Sequence, residues 1–156
     1  MMENTKFQTS NFKLQTSNIT RGVRNNNPLN IIVSKSQWVG KIADPTKKKD
    51  KVFEEFTTMA YGLRAAILLL RSYINKGYDT VPAIIHRWCP DHTACAYTRT
   101  VVSRMARALP GFDSMKPIAP SDRDTLYQLV RAMAYVESIY EVSRQEFDEA
   151  LSLCEK

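Results

Sequence analysis

Two groups of residues in this 156-residue chain could do chemistry together. The first is the run Arg21–Gly22–Val23–Arg24–Asn25–Asn26–Asn27–Pro28–Leu29–Asn30–Ile31. Asn hydrogen-bonds nearby backbone and tolerates left-handed turns, while Pro removes a donor and fixes φ, so the stretch reads as a loop. A loop so dense in amides suits a ligand covered in hydroxyl and acetamido groups. Asn25, Asn26, Asn27 and Asn30 are therefore candidate binding residues, and the ligand they point towards is a sugar. The second group is a single carboxylate, Glu137. It falls one turn after Met133, inside a helical stripe of Leu126, Leu129, Val130, Met133, Val136 and Tyr140. A Glu facing a core is rarely buried without a partner. Desolvation is also one way to make a general acid that works near neutral pH. A Glu at the edge of an apolar face, ion-paired to an arginine, gives the same pattern and does no chemistry. Amides cannot supply a proton, so an acid must come from elsewhere in the chain, with Glu137 the strongest candidate and the asparagine loop as one wall of a cleft.

The rival chemistries are weaker. Glu54 and Glu55 are expected at a strand end or solvent face, and Glu141, Glu146 and Glu149 on helix surfaces. Cys89, His92 and Cys95 have a spacing that could offer three metal ligands, but no second cluster accompanies them, so an ordinary helix-linking loop is expected and no metal or cofactor is assigned. No phosphate-cradling Gly motif, nucleophile elbow or paired-His zinc motif is present.

The elements that must position these residues are mostly helical. Leu63, Ile67, Leu70 and Ile74 recur at steps of four, three and four, predicting a helix over Gly62–Lys76 that Gly77 ends. Thr80 caps a second helix with Pro82 in its first turn, stopped by Pro90. A third spans about Thr93 to Leu109, and Ser121 with Asp124 starts a fourth in the manner of a capping box. Ser143 with Glu146 starts a fifth, after a break near Tyr140–Val142. Between Arg21 and Phe56 the chain reads as irregular, with Leu29–Val33 and Val52–Phe56 as strand candidates pairing in a small hairpin. The expected fold is mainly α with a small β element, one domain over 21–156. It follows an extended or disordered arm over 1–20 that carries a short duplication.

Lys and Arg total 22 against 16 Asp and Glu, a net charge of +6 that favours an anionic partner. The run Lys47–Lys48–Lys49–Asp50–Lys51 reads equally as a solvated loop or a binding patch. The other arginines are scattered through helical stretches, which argues against a specific nucleic-acid partner. Three cysteines do not make a disulfide scaffold. No apolar signal segment is visible at the N-terminus, and the longest apolar segment, around Ala65–Leu70, is too short to span a membrane. A target outside the cytoplasm would then require some other route of delivery.

The asparagine motif, with Trp38–Val39–Gly40, Phe53 and Phe56, Gly62–Leu63–Arg64–Ala65, Ile85–His86–Arg87–Trp88–Cys89–Pro90 and Ala132–Met133–Ala134–Tyr135–Val136–Glu137, resembles a family of phage and prophage virion proteins. These are often described as phage structural proteins or as lytic transglycosylase-like, an offshoot of the lysozyme superfamily. The resemblance covers roughly Arg21 to Ser138. It departs at Cys89, where a small residue is common, and after Ser138, where Ile139 and Tyr140 stand in place of an early Gly. It implies a lysozyme-like fold and, because Glu137–Ser138 follows rather than precedes the asparagine motif, a circularly permuted order. It further implies cleavage of the β-1,4 bond after N-acetylmuramic acid in peptidoglycan, with Glu137 as acid and then base. Asn25, Asn26, Asn27 and Asn30 would hold substrate, some of them also bracing the loop itself, with Tyr97, Tyr61 and Trp38 either as sugar-facing aromatics or as core and loop packing, and Arg24 on a carboxylate or the peptide stem. Peptidoglycan strands and other virion proteins are the implied partners, with delivery by a phage-type route. The alternative is a non-catalytic virion structural or wall-binding protein that keeps the fold.

Overall fold

A computed structural model describes residues 19–156. The predicted arm and its duplication lie outside the described residues, apart from residues 19 and 20. Six helices follow: α1 (Arg21–Arg24), α2 (Met59–Asn75), α3 (Val81–Trp88), α4 (Ala94–Ala108), α5 (Arg123–Ser138) and α6 (Arg144–Cys154). Helix α2 packs mainly on α6, and α4 lies between α3 and α5. The shared core is built from Leu63, Ile67, Leu70, Ile84, Trp88, Met105, Leu126 and Phe147, with Phe56 from the irregular front half.

Local chemistry sets the helix ends. The Thr80 hydroxyl accepts from the Ala83 amide at 3.3 Å, with Pro82 in the first turn of α3. Ser143 and Glu146 form a reciprocal capping box at α6. Helix α2 begins earlier than its apolar period suggests, because Thr58 caps it by accepting from the Tyr61 amide at 3.2 Å. The cap of α5 is Asp122, not Ser121: its carboxylate accepts from both the amide and the hydroxyl of Thr125. An ionised acceptor is the stronger partner for the positive end of a helix. The four-residue α1 falls in the stretch expected to be irregular.

Of the expected hairpin only one isolated antiparallel bridge forms, Ile32 to Phe53, and a second isolated bridge, Lys41 to Phe56, involves chain outside the expected strands. Side chains occupy the groups a longer ladder would use. Asn27 takes the Ile31 amide and the Glu54 carbonyl, Asp50 takes the amides of Val52 and Phe53, and Glu55 takes those of Lys49 and Asp50. Such local competition is what keeps Asn- and Asp-rich chain out of regular sheet.

Candidate functional site around Glu137

The apolar stripe of α5 is buried at Leu126, Leu129, Val130, Met133 and Val136, and Glu137 is buried with it at 3% exposure. Among the described residues its carboxylate meets three neutral donors. Trp88 Nε1 and the Tyr97 hydroxyl reach Oε2 at 3.1 and 3.0 Å, and Asn30 Nδ2 reaches Oε1 at 3.1 Å. The same Asn30 amide also donates to the Glu137 carbonyl at 3.1 Å. The asparagine loop therefore closes directly on the end of α5.

Three further contacts hold that closure. The Ser138 hydroxyl donates to the Pro28 carbonyl at 2.8 Å, and the Thr20 hydroxyl donates to the Ser138 carbonyl at 2.7 Å. Gly22 lies so close that a Cβ there would sit 1.9 Å from Ser138 Oγ. On the other side, a Cβ on Gly62 of α2 would sit 1.7 Å from the Asn26 carbonyl oxygen. The two glycines let one loop pack against two helices at backbone distance. Asn26 and Asn30 are both left-handed, with φ of 53°, a conformation their short amide side chains tolerate. Ile139, at φ 52°, is left-handed without that help.

The asparagines expected to face a ligand divide sharply. Asn27 is fully buried, donating to the Ile31 and Glu54 carbonyls and accepting from the Ile31 amide, so its amide braces the loop. Asn25 donates to Asp50 at 2.8 Å, and Asn26 to the Phe56 carbonyl at 3.0 Å. Asn30 differs: its Oδ1 is buried beside Glu137 with no hydrogen-bond partner. A buried acceptor without a donor is costly, so the spot suits a hydroxyl or water.

The candidate aromatics sit in packed positions. Tyr97 is buried and bonded to Glu137, so it is a donor to the carboxylate rather than an exposed sugar platform. Burial, reinforced by the Glu137 charge, pushes its phenol well above the usual range, which keeps its proton in place as a donor. Tyr61 packs beneath Gly40, where a Cβ would meet its ring at 2.4 Å, and Trp38 is partly buried against the core. Arg24 is exposed and lines a basic cavity. Trp88 is the partner of Glu137 that sequence reasoning missed. Its signal in the sequence is the indole N–H, which needs an acceptor once buried.

Two carboxylates correct the expectation of a solvent face. Glu54 is fully buried, with Oε2 taken by Lys41 at 3.2 Å and Oε1 unpartnered, and Glu55 is 8% exposed. Their backbones pair on both sides of residues 52–57, which turns the side chains inward. Asp50 is the most strongly held acid. Burial pushes its carboxyl up, but the Arg21 guanidinium, the Phe53 amide, Asn25 and the Val52 amide together hold it well below the usual carboxylate range. Cys89 is buried while Cys95 is exposed, and among the described residues no three His, Cys, Asp or Glu are grouped to hold a metal ion.

No known family profile matches the chain. It is similar to a protein called Protein P5 of Pseudoalteromonas phage PM2, with 40% identity over 84 residues, 51% of each chain. The chain thus matches about half the length of that curated phage relative. Among the described residues no helix is long and apolar enough to cross a membrane.

Proposed function

We propose that the protein cleaves the β-1,4 glycan bond of peptidoglycan, as a lytic transglycosylase or muramidase of lysozyme-like fold with circularly permuted order. The observation that carries this reading is the Glu137 carboxyl at the end of α5, clasped by the asparagine loop through Asn30 and fixed by Trp88 and Tyr97. Such a carboxyl is sealed from bulk water, and its orientation is set by two rigid aromatic donors. The unused Asn30 Oδ1 beside it offers an acceptor for a substrate hydroxyl or N-acetyl N–H. Phage similarity supports a virion or prophage setting.

Under this reading Glu137 protonates the glycosidic oxygen as the C–O bond breaks, and then takes back a proton as the anomeric centre is captured. A second carboxylate would stand about 5–10 Å away in the usual two-acid schemes. Asp50 is unsuited to that part, being locked by Arg21 and Asn25. A single-acid scheme, with the substrate's own groups closing the second step, suits this site better.

The second reading, a virion structural or wall-binding protein without turnover, also has a specific observation behind it. Asn25, Asn26 and Asn27 are turned into the loop, and Glu137 is almost fully covered. Clearing of purified peptidoglycan by the wild type and by Glu137→Gln separates the two. Clearing by wild type alone supports the enzyme, equal clearing by both removes Glu137 from the mechanism, and clearing by neither favours the second reading. Anhydro-muramic products against reducing ends would then distinguish transglycosylase from hydrolase.

A further inference from the structure

The lysine run has an alternating arrangement that its composition does not reveal. Lys48 turns inward, with its Nζ on the carbonyls of Asp50 and Phe53 and 3.7 Å from Glu55. Lys47, Lys49 and Lys51 turn the other way and line a cavity of about 540 Å³ with Arg24. Among the described residues none of these four cations has an ion-pair partner. The wall beneath them is rigid: Arg21 grips Asp50 through two bonds of 2.7 and 2.8 Å, and Asn25 adds a third.

Asp50 and Glu55 also line the basin, but Arg21 and Lys48 already pair with them, so the four remaining cations leave an excess of positive charge that an anion would relieve. The basin is a bowl rather than a stripe, so it fits a short anionic segment better than the regular phosphates of a duplex. Its position also matters. Gly22 of α1 touches Ser138, next to Glu137, while Arg21 and Arg24 project from other faces of the same short helix into the basin. The basin and the Glu137 end therefore share α1 as a common wall.

We infer that the basin formed by Arg24, Lys47, Lys49 and Lys51 binds the carboxylates of the peptide stem carried by the glycan, and so selects strands with acidic stems. This rests on the glycan reading above and names what would hold the non-sugar part of the substrate. Arginine and lysine together suit several carboxylates in one bowl, Arg as a planar fork and Lys as mobile point charges.

The test measures binding by titration calorimetry on the full chain carrying Glu137→Gln, so that no substrate turns over. The probes are a disaccharide with an acidic tetrapeptide stem, the same disaccharide without its peptide, inorganic phosphate, and a DNA duplex of equal total charge. The stem-bearing probe should bind at least tenfold tighter than the bare disaccharide, with the preference shrinking as salt rises. The triple variant Lys47→Gln, Lys49→Gln, Lys51→Gln should lose that preference while keeping its far-UV circular dichroism, since all three side chains are exposed. Equal binding with and without the stem overturns the inference, as does a triple variant that keeps the preference. Tighter binding of phosphate or DNA than of the stem-bearing probe also overturns it. A stem preference in a wild type that never cleaves peptidoglycan would sink the enzyme reading alone.

Discussion

Ile139 is a β-branched residue in left-handed conformation, at φ 52° and ψ 42°, immediately after the last residue of α5. In that region the Cβ of an L-residue crowds the following carbonyl oxygen at a cost of roughly 1–2 kcal/mol, which glycine escapes. Glycine in turn loses about 0.5–1 kcal/mol of backbone entropy relative to alanine on folding. At the midpoints of these ranges Ile139→Gly is about 0.75 kcal/mol more stable than Ile139→Ala, the reverse of the order inside a helix. The comparison is made with alanine because the isoleucine side chain is 40% exposed, and both variants lose its remaining contacts equally. For a chain of this size the gap is about 1–4 °C in melting temperature, measurable by circular dichroism with urea titration as a check. Alanine equal to or more stable than glycine would show that Ile139 is not left-handed. The turn that follows Glu137 and Ser138 would then be wrongly described.

Asn27→Ala should cost about 2 kcal/mol or more in urea unfolding, because it strands the Glu54 carbonyl and the Ile31 amide in a buried loop, while the Ile31 carbonyl keeps the Glu54 amide; a loss below 1 kcal/mol would mean the loop does not need this brace. Gly62→Ala replaces a helical glycine, which by propensity alone gains about 1 kcal/mol, yet it should destabilise strongly because the new methyl meets the Asn26 carbonyl at 1.7 Å. Stabilisation by that change would refute the close packing of loop on helix. Asp50 is held below its unfolded value near 3.8, so its contribution to stability is present above about pH 4 and is lost as pH falls through the lower folded value. Arg21→Met should raise that folded value and move the acid-unfolding midpoint to higher pH, and an unmoved midpoint would contradict the Arg21–Asp50 coupling.

Much of the frame could be read from residue types. The steps of Leu63, Ile67, Leu70 and Ile74, the Thr80–Pro82 start and the Ser143–Glu146 box each fix an element by local chemistry that little else in the chain overrides. The α5 cap moved by one residue because two adjacent polar side chains compete for the same amides and the ionised one prevails. The front half was harder. Whether Asn27 faces a ligand or the Ile31 and Glu54 backbone depends on a contact 27 residues away, and an amide's type does not encode its direction. The inward turn of Glu54 and Glu55 likewise follows from backbone pairing on both sides, which no local period reveals. Glu137 stood out because its place in the apolar stripe of α5 conflicts with its charge. Its partners stood out unevenly: Asn30 and Tyr97 read as candidates for holding substrate rather than the carboxylate, and Trp88 looks like an ordinary core residue until the helices are packed.

The central claim is that Glu137, where the asparagine loop meets α5, is the acid that breaks a glycan bond. Release of soluble muropeptides from purified sacculi by wild type and Glu137→Gln, with both shown folded by circular dichroism, tests it most directly. Release by the wild type and a loss of about 10²–10⁴-fold in the variant are expected, the range of a missing general acid. Equal release by the two proteins, or none by the wild type, would contradict it.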